Sequence, residues 1–90
     1  MAELNKVKRH IGELAGRREN VTLAEIEWVV DRLKELGYRT RVREATHGRL
    51  FGVGSTRFMV NCHNPGSKQV KRYSVDDFVS AMIELGLYEG

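Results

Sequence analysis

Between Tyr38 and Arg43 every second residue is an arginine. Successive side chains of a strand point to opposite faces, so Arg39, Arg41 and Arg43 share one face while Tyr38, Thr40 and Val42 share the other. Three guanidinium groups in a row are expensive to bury without partners. One face of any sheet built on this strand therefore stays open to water or to a ligand. The rest of the chain has to cover the opposite face.

The covering elements are legible from their spacing. Residues 2–15 place Leu4, Val7, Ile11 and Leu14 along one side of a short amphipathic helix, ended by Gly16 and the polar connector Arg17 to Asn20. Thr22 followed by Glu25 spells a capping box. Leu23, Ile26, Val29, Val30 and Leu33 then form the apolar stripe of a second helix, which Gly37 stops. Trp28 falls beside that stripe, either as a core-edge residue or as part of a partner-binding surface. A turn over Ala45 to Gly48 leads to a second strand, Arg49 to Val53, and Gly54-Ser55-Thr56 turns into a third, Arg57 to Cys62. Gly52 and Gly54 fit bulge or turn positions. In the third strand Phe58, Val60 and Cys62 point inward, with Arg57, Met59 and Asn61 outward.

Asn64-Pro65-Gly66-Ser67 is the strongest loop signal. Lys68 to Tyr73 reads equally as an extended loop or a fourth short strand. Ser74 caps a last helix whose Phe78, Ala81, Met82 and Leu85 face inward, and Gly86 ends it. The expected fold class is α+β, in the order α-α-β-β-β-α, with a three-stranded antiparallel sheet and helices packed on one face. Residues 1–20 form an N-terminal helix and connector, and residues 21–90 form an α-β-β-β-α body.

A chain of 90 residues has room for one domain with one modest core. No apolar run approaches a membrane span and no leader pattern opens the chain, so a cytoplasmic protein without a membrane role is expected. The single Cys62 cannot close an intramolecular disulfide, and with His10, His47 and His63 it makes no zinc spacing. Neither a metal nor another cofactor is expected. Between residues 38 and 73, Arg39, Arg41, Arg43, Arg49, Arg57, Lys68, Lys71 and Arg72 stand against one acid, Glu44, while the segments on either side are acidic. Such a concentration reads as a local site for a polyanion.

Nucleophilic triads find no support, since the serines lack an elbow motif and Cys62 points inward. His47 is the best candidate for chemistry. It lies at the junction of the first two strands beside Arg43 and Arg49, where an imidazole can exchange a proton and arginines can stabilise charge on a phosphate. His63 is either a second phosphate contact or a structural residue. His10 is expected in solvent.

The segment from Leu33 to Leu87 resembles the HicA toxins, small endoribonucleases with a fold like that of double-stranded-RNA-binding domains. The likeness lies in Leu36-Gly37-Tyr38 at the helix end and in Ala45-Thr46-His47, which stands where the family has Gly-Ser-His. It continues in Val60-Asn61-Cys62-His63 for Val-Pro-x-His, and in the basic loop and final helix from Lys68 to Leu87. The resemblance implies metal-free cleavage of messenger RNA and neutralisation by a HicB-like antitoxin protein. In that picture His47 is the general acid or base. Arg39, Arg41, Arg43, Arg49 and Arg57 hold phosphates, with His63, Lys68, Lys71 and Arg72 extending the track.

Two other readings stay open beside it. The sheet could belong to a non-catalytic nucleic-acid-binding module, or to a phage-type inhibitor or adaptor whose arginines meet an acidic protein surface.

Overall fold

The computed structural model describes residues 4–45, 48–62 and 68–89. Among them the elements run α1 (Leu4–Arg17), α2 (Leu23–Glu35), β1 (Thr40–Ala45), β2 (Gly48–Val53), β3 (Thr56–Asn61) and α3 (Arg72–Glu84). The strands pair antiparallel in the order β1-β2-β3. The helices lie on one face of this meander, giving the α+β layout that the patterning predicts. No helix is long and apolar enough to cross a membrane.

The helix ends follow from local chemistry. The Thr22 hydroxyl accepts the Glu25 N–H at 3.3 Å, and the Glu25 carboxylate accepts the Thr22 N–H at 3.1 Å, so the capping box is complete. Glu25 also pairs with Arg17. Burial pushes its pKa up, but the Thr22 N–H, the Arg17 guanidinium and the Thr22 hydroxyl together hold it below the usual glutamate value. At the other end of α2, Gly37 takes φ +101°, its N–H bonds Lys34 O, and the Tyr38 N–H bonds Leu33 O. A side chain at Gly37 would strain that left-handed turn. The same pair of bonds closes α3 at Gly86 and Leu87.

Val7, Ile11, Leu14 and Ala15 of α1, Ile26, Val29, Val30 and Leu33 of α2, and Val75, Phe78, Val79 and Met82 of α3 meet the inner face of the sheet in one core. Phe51 stacks on Phe58 at 5.4 Å, and Phe58 meets Phe78 edge-on at 5.6 Å. Packing is uneven across the sheet, because α3 lies along β3 whereas α2 barely reaches β1. Val42, on the inner face of β1, is accordingly 47% exposed. The first strand overhangs the core.

Three local expectations change. Ser74 is not the cap of the last helix: α3 begins at Arg72, and its N-cap, Lys71, makes no side-chain cap bond. Ser74 is instead fully buried and its hydroxyl accepts the Asn61 N–H at 2.8 Å, fastening α3 to the end of β3. Gly52 forms no bulge, since it sits in register between Arg41 and Arg57. His10 is half-buried rather than free in solvent, with its ring edge-on to Trp28 at 4.8 Å. Trp28 is half-buried against the core and lies 5.5 Å from the Arg32 guanidinium carbon, which makes it a core-edge residue.

The segment before α3 also finds its place. Gln69 and Val70 are extended and bridge Thr22 and Cys62 respectively, and the Lys71 N–H bonds Asn61 O at 2.8 Å. This short ladder lashes the start of α2 to the end of β3. Removing the Ser74 hydroxyl should weaken the same junction, because the Asn61 N–H would lose its acceptor. Ser74→Ala is expected to lower unfolding free energy by about 1–3 kcal/mol in a urea titration. A loss within error would show that this hydrogen bond does not fasten the helix.

Candidate nucleic-acid interface

Cross-strand register fixes what the open face displays. Residues paired directly across an antiparallel sheet share a face. Arg41, Gly52 and Arg57 form one such row, Arg43, Leu50 and Met59 the next, and Ala45, Gly48 and Asn61 the last. Arg39 continues the first strand beyond β1, and its carbonyl accepts the Gly54 N–H at 2.8 Å. Arg39, Arg41, Arg43 and Arg57 are all exposed. No acidic residue occupies this face in any of the three rows.

Among the described residues five arginines pair with a carboxylate and five do not; of the latter, Arg9 lies on α1 and the other four lie on the open face. Arg17, Arg18, Arg32, Arg49 and Arg72 each pair with a carboxylate: Glu25, Asp76, Glu35, Glu27 and Glu19. Among the described residues, none of Arg39, Arg41, Arg43 and Arg57 has a carboxylate within 4.0 Å. Four like charges on one small surface repel each other unless something negative lies against them. The fold holds them together without supplying their counter-charge.

Between these side chains the surface dips. A recess of about 150 Å³ is lined by Arg41, Arg43, Leu50, Phe51, Gly52 and Arg57. A second, of about 220 Å³, lies among Arg39, Arg41, Gly52, Gly54 and Arg57. Gly52 borders both. A methyl group there would lie 3.7 Å from Arg41 Cβ and 3.9 Å from Thr56 O, which is ordinary contact. The backbone does not demand glycine at this position; what glycine provides is the hollow between Arg41 and Arg57.

The remaining basic residues separate. Arg49 leaves the open face altogether. It lies opposite Val60, on the helix side, half-buried and bonded to Glu27 of α2 at 2.9 Å. Sequence position placed it beside the other arginines, but strand alternation from Phe51 puts it inward. Arg72 pairs with Glu19 at 3.4 Å and Lys68 is exposed beside the bridge to Thr22, so both sit toward the helix layer. Lys71 stays close to the open face, with its ammonium 5.8 Å from the Tyr73 ring centroid. His47 and His63 lie outside the described residues. Ala45, Gly48 and Asn61 form the last row of the open face among the described residues.

That end carries two residues that sequence reasoning passed over. Tyr73 is 50% exposed, and its hydroxyl accepts the Asn61 side-chain amide at 3.0 Å. Only the register of α3 reveals it, and the helix starts three residues earlier than a cap at Ser74 implies. Gly48 is the other. A Cβ at Gly48 would sit 1.8 Å from Val60 O and 2.8 Å from Asn61 Cα.

Comparison with known proteins finds no matching family model, no similar curated protein and no similar solved structure. The site is therefore read from its own chemistry. Among the described residues no group of three or more His, Cys, Asp or Glu side chains is placed to hold a metal ion.

Proposed function

We propose that the open face of the sheet binds RNA through its phosphates, and that the protein is a HicA-type ribonuclease with His47 as its acid–base group. The observation that carries the binding half is the set of four exposed arginines without carboxylate partners, gathered on one face that holds no acid. Guanidinium forks match phosphate oxygens in pairs, and a row of them fits a repeating anion better than a single one. The cleavage half rests on His47 and on the likeness of residues 33–87 to HicA toxins.

In RNA cleavage of this kind the 2′-hydroxyl attacks the adjacent phosphorus and the 5′-oxygen of the next nucleotide leaves, giving a 2′,3′-cyclic phosphate. His47 would take the proton from the attacking hydroxyl or deliver one to the leaving oxygen. Arginines at the phosphate would stabilise the charge gathered in the transition state. A HicB-like antitoxin would act by covering this surface.

The two halves separate in one set of experiments. Wild-type protein should bind RNA, cut it in buffer containing a chelator, and arrest growth when induced. His47→Ala should abolish cutting and relieve the arrest, with RNA affinity kept within about threefold, because one imidazole contributes little beside four arginines. A wild-type protein that binds RNA but neither cuts it nor arrests growth would remove the enzyme and leave a binding module. Retention of an acidic protein in place of RNA would overturn the binding half.

A further inference from the structure

The row that ends the open face is Ala45, Gly48 and Asn61, and Tyr73 adjoins it from the first turn of α3. The junction between α3 and β3 is already made by its neighbour, Ser74, which is fully buried and takes the Asn61 N–H. Tyr73 is not needed for that packing, and half of it remains in contact with solvent. Its hydroxyl accepts the Asn61 side-chain amide at 3.0 Å, which ties the ring to the last row of the open face. The Lys71 ammonium lies 5.8 Å from the ring centroid. A tethered, exposed aromatic ring with a cation beside it continues a face whose other members include four arginines and the apolar pair Leu50 and Met59.

We infer that Tyr73 is a stacking platform for one unpaired base, and that the face therefore takes single-stranded rather than double-stranded RNA. The inference rests on the RNA-binding reading above and adds the substrate class. A phosphate needs only the arginines and Lys71. An exposed aromatic plane is of use to a nucleic acid only where a base can turn its flat side outward, and bases inside a duplex are covered by their neighbours on both sides. A strand whose phosphates follow Arg57, Arg41 and Arg43 can set a base on Tyr73 at the end of that run, with Lys71 near the following phosphate. The strand face itself carries no aromatic side chain outward in the three rows, so this one ring sets where a base is held.

The test uses the full chain and fluorescence anisotropy with a labelled 12-nucleotide RNA free of self-complementarity, and with the same strand annealed to its complement. His47→Ala serves as background in every variant, so that cleavage does not enter. The background protein should bind the single strand more tightly than the duplex. Tyr73→Leu keeps apolar bulk but has no ring, and should lose about 5-fold to 100-fold on the single strand, in line with about 1–3 kcal/mol per stacked base. Its salt slope should not change, because no charge is removed. Tyr73→Phe keeps the ring without its bond to Asn61 and should lose much less than Tyr73→Leu, which separates the ring from its hydroxyl. Circular dichroism of each variant verifies the fold. Equal affinity of Tyr73→Leu and background protein for the single strand overturns the inference and leaves the phosphate reading standing, as does tighter binding of the duplex. Failure of the background protein to bind either RNA overturns the phosphate reading itself.

Discussion

Replacing Gly48 with alanine should be among the most damaging single-methyl changes in this chain. The added Cβ would meet Val60 O at 1.8 Å, with Val60 C and Asn61 Cα both at 2.8 Å. All three are backbone atoms, so no rotamer change relieves the overlap. The start of β2 must move away from β3, which breaks the Gly48–Asn61 and Ala45–Gly48 pairs and opens one end of the sheet. Overpacking of a well-packed site costs about 1–3 kcal/mol and occasionally more; with backbone on the far side we expect the upper end. For a domain of this size that corresponds to a fall in Tm on the order of 10–20 °C. Gly52→Ala, four residues along the same strand, is the control. Its methyl has room, so its effect on Tm should be small and its cost should show in anion binding through the filled recess. Equal melting temperatures for Gly48→Ala and wild type would contradict the close strand approach.

The second large effect concerns affinity. Changing Arg39, Arg41, Arg43 and Arg57 together to glutamine should lower affinity for single-stranded RNA by on the order of a hundredfold or more, since hydrogen bonds to charged groups contribute about 1.5–3 kcal/mol each. Stability should hardly change, because these side chains are exposed and make no ion pair among the described residues. Relief of mutual repulsion would even raise it slightly. The matched control removes four positive charges from the helix layer, at Lys8, Arg17, Arg32 and Lys34. There a small loss of stability is expected from the broken Arg17–Glu25 and Arg32–Glu35 pairs, and only a modest loss of affinity.

Much of this architecture was written in local patterns. The capping box at Thr22, the left-handed stop at Gly37 and the two-residue alternation through Arg39, Arg41 and Arg43 each depend on neighbours close in sequence. All three appear where the pattern puts them. What escaped depends on partners far along the chain. Ser74 has the composition of a helix cap, but the extended stretch at Gln69 and Val70 starts the helix at Arg72. The serine is thereby carried one turn in, against Asn61. Arg49 belongs to the basic run by position and to the helix side by register, and only the distant Glu27 makes that inward place tolerable.

The candidate site shows the same division. Alternation alone assigned Arg39, Arg41, Arg43 and Arg57 to one face. The hollow at Gly52 required knowing that Arg41 and Arg57 flank it from two other strands. Tyr73 carried no signal at all, because it sits at the seam between a loop pattern and a helix pattern and its meaning comes from Asn61. A chain can announce which residues are charged and exposed. Which of them lack a counter-charge is a property of the fold.

RNA binding is assigned to the four open-face arginines and not to the overall positive charge. The salt dependence of RNA affinity tests this most directly, measured for His47→Ala protein and for the two four-charge variants built on it. With four phosphate contacts, the logarithm of the association constant should fall with the logarithm of salt concentration at a slope of about −3. The slope should shrink in magnitude to below about 1, the share left to Lys71, in the open-face variant and persist in the helix-layer variant of equal net charge. Equal slopes in the two variants would show that RNA responds to net charge alone, and would contradict the account.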